Sequence, residues 1–101
     1  MAKRVFLDTS DLLFRSKLAG AVAAAGGDVT RDEAACDIAV VDVETPGVSA
    51  RIRALAGRGV GVLAYGSHVR ADLLRAARDA GALSVPNSMV EEKLRNLLQT
   101  V

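Results

Sequence analysis

Two aspartates close apolar runs in this chain, and carboxylates so placed can share a cation. Val5-Phe6-Leu7 runs into Asp8, and Ile38-Ala39-Val40-Val41 runs into Asp42. Short apolar runs of this kind read as strands covered on both faces. If the two strands are neighbours, their carboxylates repel unless a cation or proton lies between them. Mg²⁺ suits such a place, because it takes one or two carboxylates and keeps several waters. The other reading is that each Asp is solvated or caps the loop behind it. Polar residues gather at the same positions. Thr9, Ser10 and Asp11 follow the first run, and Glu44 and Thr45 follow the second. Tyr65-Gly66-Ser67-His68 and Pro86-Asn87-Ser88 follow two later runs. Carboxylates and hydroxyls are expected to converge there, with no cation among them.

Other chemistry is poorly supported. Ser67 and His68 are a nucleophile and a base, but they are adjacent in sequence, so on an extended loop their side chains point apart. His68 is therefore read as a loop or cap residue. No base–nucleophile pair stands at a credible spacing for an enzyme. Gly57-Arg58-Gly59-Val60-Gly61 is glycine-rich, but it precedes a strand, whereas a phosphate-cradling loop follows a strand and opens a helix. Cys36 is the only cysteine. It has no partner for a disulfide and no ligand cluster around it, and it reads as a small buried hydrophobe.

The elements that position these residues alternate. After Asp8, a helix carries Leu12, Leu13, Leu18, Val22 and Ala25 on its apolar face and stops at Gly26-Gly27. Asp28-Val29-Thr30 is a brief strand. Thr30 and Glu33 fit a capping box that allows a helical turn over residues 31–36. The strand Ile38–Val41 is followed by a turn at Glu44-Thr45-Pro46-Gly47 and a short helix from Ser49 to Ala56. Val60–Ala64 is the next strand, with Tyr65–His68 as its exit loop. A helix then faces inward with Val69, Leu73, Ala76, Ala77 and Ala80. Leu83-Ser84-Val85 is a last strand, broken by Pro86. Ser88 and Glu91 cap a final helix with Val90, Leu94, Leu97 and Val101 on one face. This order implies a parallel sheet with helices on both faces and right-handed crossovers. Ligands of such sheets bind beyond the carboxyl ends of the strands.

A chain of 101 residues supports one domain, residues 1–101, with one core. A net charge of +1 gives no long-range pull on nucleic acid or an anionic membrane. The arginines are spread over several helices. With no apolar run of membrane-spanning length and no signal-peptide pattern at the start, the cytoplasm is the expected location.

Asp42 with Glu44-Thr45-Pro46-Gly47 resembles the phosphoacceptor Asp and following Pro-Gly turn of response-regulator receiver domains. Val5-Phe6-Leu7-Asp8 resembles their first strand, and Ala80-Gly81-Ala82 one of their helix ends. The resemblance covers nearly the whole chain. It implies a flavodoxin-like (CheY-like) doubly wound α/β fold, with a five-stranded parallel sheet in the order 2-1-3-4-5; this chain departs from it in having its second helix reduced or missing. It also implies Asp42 as the phosphoacceptor equivalent, with Mg²⁺ at Asp8 and Asp42. The departures are specific. Receivers carry a second acidic residue where this chain has Thr9, and Asp11 could reach in only from a helical turn further on. They carry Thr or Ser where Gly66 stands, with Ser67 one step along. They carry a Lys before a Pro after the fifth strand, where the matching stretch is Pro86-Asn87-Ser88. Ser67 and Asn87 are left as candidates for sensing a phosphate, and Asn87 offers only a neutral hydrogen bond.

The expectation is a stand-alone, degenerate receiver (a pseudo-receiver) that binds a protein partner or a second copy of itself and is not phosphorylated. It calls for no cofactor beyond the Mg²⁺ that Asp8 and Asp42 could hold. The alternatives are a true phosphoacceptor receiver using Asp42 and Mg²⁺, and a small hydrolase or transferase at the same strand ends. Residues 30–37 are too few for a full crossover helix, so apolar surface around Val29, Cys36, Ile52 and Leu55 is expected to lack cover and to form an interface. The competing reading has Ala34, Ala35 and Cys36 folding down to seal it.

Overall fold

The computed structural model describes residues 2–99. Five strands form one parallel sheet: β1 (Arg4–Asp8), β2 (Asp28–Thr30), β3 (Ile38–Asp42), β4 (Gly61–Gly66) and β5 (Leu83–Pro86). The strand order is β2-β1-β3-β4-β5, as the resemblance implied. Four helices flank it: α1 (Leu12–Ala24), α2 (Val48–Gly57), α3 (Ala71–Asp79) and α4 (Val90–Gln99). Single 3₁₀ turns occupy Glu33–Ala35 and Asn87–Met89.

Strand alternation divides the core. Val5, Leu7, Val40, Leu63 and Val85 point to one face, where they meet Leu18 and Val22 of α1 and Val90 and Leu94 of α4. Ala39, Val41, Val62 and Ala64 point to the other, against Ile52 and Leu55 of α2 and Leu74 and Ala77 of α3. Small residues on this second face let α2 and α3 lie close to the sheet. Among the described residues, no helix is long and apolar enough to cross a membrane.

Several local expectations need correction. The fourth strand runs on through Tyr65 and Gly66, because the register pairs Asp42 with Tyr65 and Gly66 with Pro86. Pro86 is the last residue of β5, where its missing N–H costs least. Leu12 and Leu13 are exposed instead of packed. Asp11 caps α1, and its Oδ1 accepts from the Leu13 and Phe14 amides at 3.0 and 3.1 Å. That cap starts the helix with Leu12 and Leu13 turned to solvent. Val69 precedes α3 and is exposed, as is Ala76, and Leu74 takes the inward place. The turn at residues 33–35 is capped by Asp32, not Thr30. α4 enters through the 3₁₀ turn rather than through a Ser88–Glu91 box. Val101 lies outside the described residues.

The short crossover from β2 to β3 does not leave the sheet uncovered. Cys36 is buried in the same cluster as Ile52 and Leu55, which are 0% and 1% exposed. The guanidinium of Arg51 lies 5.5 Å from the centroid of the Phe6 ring, and its Nε donates to Glu33 Oε1 at 2.8 Å. Arg58 Nη2 donates to the Ala34 carbonyl at 3.1 Å. Two arginines of α2 and its exit thus hold the turn down where a helix would otherwise lie. The expected interface at Cys36, Ile52 and Leu55 is therefore overturned, since these residues are sealed within one chain. Of that group only Val29 is exposed.

Candidate functional site

Asp8 and Asp42 end adjacent strands, but they point to opposite faces of the sheet. The register sets Asp8 opposite Val41, which faces α2 and α3. Asp42 lies one residue further on and so faces the other way. A one-residue offset moves a side chain to the opposite face.

On the Asp8 side, a cation is present after all. Arg51 of α2 forms ion pairs with both Asp8 and Glu33, bringing the ends of β1, α2 and the crossover turn together. Burial works against the Arg51 charge. The hydrogen bonds to Glu33 and Asp8, and the charges of those carboxylates, outweigh it and hold the guanidinium above its usual range. A second arginine, Arg70, donates from Nη1 to Glu44 Oε1 at 3.1 Å. The expectation that no cation reaches the strand ends fails at these two points. Spacing alone could not pair Arg51 with Asp8, because the two lie 43 residues apart in the chain.

On the Asp42 side, a cleft of about 250 Å³ opens. Thr9, Ser10, Asp11, Asp42, Glu44, Ser67 and Asn87 give it a polar lining, and Phe14, Tyr65 and Gly66 complete it. Asp8 is not among them; it lines a separate depression with Arg15 and Arg31. The residues brought beside Asp42 are therefore Thr9, Asp11, Ser67 and Asn87. Asp42 Oδ1 accepts from the Glu44 amide at 2.9 Å, and among the described residues no ion pair involves Asp42. Lys3 sits at the far end of β1, donating to the Leu97 carbonyl at 3.0 Å.

The pair Asp8 and Asp42 does not fit a shared Mg²⁺. The two side chains face different ways, and Asp8 is already held by Arg51. Among the described residues, no group of three or more His, Cys, Asp or Glu side chains is arranged to hold a metal ion.

Two strand ends explain the remaining departures. At the end of β4, a Cβ on Gly66 would lie 2.4 Å from Cγ2 of Val43. Val43 is buried, and its amide donates to the Tyr65 carbonyl at 3.0 Å. No hydroxyl side chain fits at Gly66 while Val43 stays in place. At the end of β5, the residue before Pro86 is Val85, buried in the α1/α4 core. Ser67 does line the cleft, but its Oγ accepts from the Val69 amide at 3.4 Å, an interaction within its own turn. His68 is exposed and lies outside the cleft lining, so Ser67 and His68 do not form a nucleophile–base pair.

Tyr65 is the residue that sequence reasoning missed. The exit-loop reading of this residue fails, since it is the fifth residue of β4. Its ring packs on Phe14 with centroids 4.9 Å apart. It is 5% exposed, and its hydroxyl is buried without a hydrogen-bond partner among the described residues. Burial pushes the phenol above its usual pKa. Thr9 beside it pulls the other way without meeting hydrogen-bond geometry, and the charges of Asp42, Asp8 and Asp11 push it up further. The available signal was the strand pattern itself, since Val62 to Tyr65 is one apolar run.

No protein-family model matches the sequence, and no curated protein matches it. Solved structures do. A response regulator from Thermotoga maritima superposes with a TM-score of 0.77 at 16% identity, covering 99% of this chain and 100% of that one. DrrB, an OmpR/PhoB homologue from the same organism, gives 0.76 at 17%, covering 95% of this chain and 50% of its own. The receiver domain of the putative regulator NarL from Mycobacterium tuberculosis gives 0.70 at 20%, covering 95% and 92%. At these identities the likeness is one of fold, and the fold is that of response-regulator receivers.

Proposed function

We propose that this chain is a receiver-fold signalling module that acts on a protein partner without acyl-phosphate chemistry at Asp42. The supporting observation is how charge is compensated. The guanidinium that reaches the end of β1 is committed to Asp8 and Glu33, while Asp42 shares its cleft with Asp11 and Glu44. A phosphoryl group on Asp42 would add about two negative charges beside those carboxylates. Phosphoryl transfer depends on cations to offset such charge. Neither a Lys before Pro86 nor a hydroxyl at position 66 is there to receive the group. Receiver folds serve signalling in general, and the lack of a base–nucleophile pair around Ser67 supports the same role here.

Intact mass spectrometry after incubation with acetyl phosphate and Mg²⁺ tests this reading, with an active receiver treated in parallel as the positive control. The expected spectrum shows no phosphoryl adduct. A gain of one phosphoryl group that disappears in Asp42→Asn would overturn the proposal.

A further inference from the structure

We infer that the Asp42 cleft is a receptor for a basic side chain, arginine or lysine, presented from an apolar patch on a partner protein. The inference deepens the proposed function and rests on it in one respect: Asp42 stays an unmodified carboxylate.

The cleft has acceptors to spare. Asp11 caps α1 and Asp42 caps its own turn, each through Oδ1, so among the described residues one oxygen of each carboxylate is uncommitted. Glu44 adds a third carboxylate, tied only to the half-exposed Arg70. A guanidinium or ammonium carries donors and no acceptors, and so complements this lining. The second observation is Tyr65. The residue lines the cleft, and its hydroxyl is buried just behind that lining with no hydrogen-bond partner among the described residues. A buried polar group left unpaired costs free energy, and a donor entering the cleft would relieve that cost.

The rim indicates what carries the cation. Six large apolar side chains are exposed among the described residues, and four of them, Leu12, Leu13, Val69 and Met89, follow the carboxyl ends of strands. Three stand two positions beyond a residue of the cleft lining: Leu13 after Asp11, Val69 after Ser67, and Met89 after Asn87. Leu13 is 85% exposed and Val69 72%. They belong to three different connections, so no local sequence bias accounts for them. An acidic pocket flanked by apolar residues suits an arginine anchor whose neighbouring contacts exclude water. A free metal ion or a small organic cation would make no use of that rim.

The ¹⁵N-labelled chain, in EDTA and without a phosphodonor, is titrated with a short capped peptide carrying one arginine among leucines and valines. Its twin has citrulline in place of the arginine, and arginine amide serves as a third probe. We expect saturable amide shifts at Ser10, Glu44, Ser67 and Asn87. The citrulline peptide and the Asp42→Asn variant should each bind about tenfold more weakly or worse, and the exposed-site variant Leu13→Ser several-fold more weakly. The absence of a saturable shift, equal binding of the citrulline twin, or indifference to Asp42→Asn would overturn the inference. Arginine amide binding as tightly as the peptide would also overturn it, since the site would then take a small cation without a docking surface. Phosphorylation of Asp42 in the separate acetyl phosphate experiment would defeat the proposed function. The titration, free of metal and phosphodonor, still returns its own answer.

Discussion

The ends of β1 and β3 lie side by side in the sheet, yet the fold treats their two carboxylates in opposite ways. Asp8 is clamped by Arg51, which also holds Glu33 and covers the Phe6 ring. Asp42 keeps one capping contact and opens on a cleft. The first carboxylate has become part of the architecture: the Arg51 clip substitutes for the helix that the β2–β3 crossover is too short to form. The second has stayed available. A shared strand-end position therefore does not imply a shared role, because the side-chain face and the nearest cation decide what a carboxylate can do.

The largest effect should come from the closed side. Ile52→Ala removes the side chain that fills the space under the clip, and it should cost about 2–5 kcal/mol in denaturant unfolding. A loss well under 1 kcal/mol would mean that this face is more loosely sealed than its burial indicates. Gly66→Ala probes the boundary between the two sides. The new Cβ meets Val43 at 2.4 Å, so a loss of about 1–3 kcal/mol is expected. Pairing it with Val43→Ala should give less than the sum of the single losses. Additive losses in that double-mutant cycle would show that Val43 is not what excludes a side chain at position 66.

Arg51→Met keeps the stem over Phe6 but leaves Asp8 and Glu33 without their cation. Because all three side chains are partly exposed, the expected loss is about 1–2 kcal/mol, shrinking as salt is raised. A change confined to a few tenths would reduce the clip to a surface ion pair. A further effect is confined to alkaline pH. Tyr65 has a folded-state pKa raised above the ordinary value of 10.0, chiefly by burial. Its contribution is complete below pH 10.0 and is lost as pH climbs through the folded value, because the unfolded phenol ionises first. It is the only tyrosine, so phenolate absorbance reports it directly. Ionisation of the folded chain at pH 10.0 or below would contradict its burial. The smallest effect belongs to Asp42→Asn. Asn can accept the Glu44 amide as Asp does, and stability should change by no more than about 0.5 kcal/mol. The contrast with Arg51→Met sets the architectural carboxylate against the available one, and comparable losses from both would erase it.

Much of this was legible before any coordinates. Strand alternation, the glycine stops and the Pro46-Gly47 turn gave the element order. Gly47 has φ +76°, which a residue with a Cβ rarely adopts, so even that turn's backbone was implied by its sequence. The errors lay at element ends, where one residue decides a face. Reading Tyr65 as loop hid a buried hydroxyl behind the cleft lining. Placing Leu12 and Leu13 on the packed face of α1 missed their exposure, because the stripe through Leu18, Ala21 and Val22 leaves both positions off the buried face.

The sequence by itself determined the α/β alternation, the short crossover and the residue types gathered at the strand ends. Those properties are local, set by periodicity and turn chemistry within a few residues. Only the tertiary structure decided that Asp8 meets Arg51, that Asp42 faces a cleft with no ion pair of its own among the described residues, and that Val43 closes the space over Gly66. Each of these depends on strand register and on which helix lies across which face. Two carboxylates of the same type, one residue out of register in neighbouring strands, are thereby sent to opposite sides of the sheet.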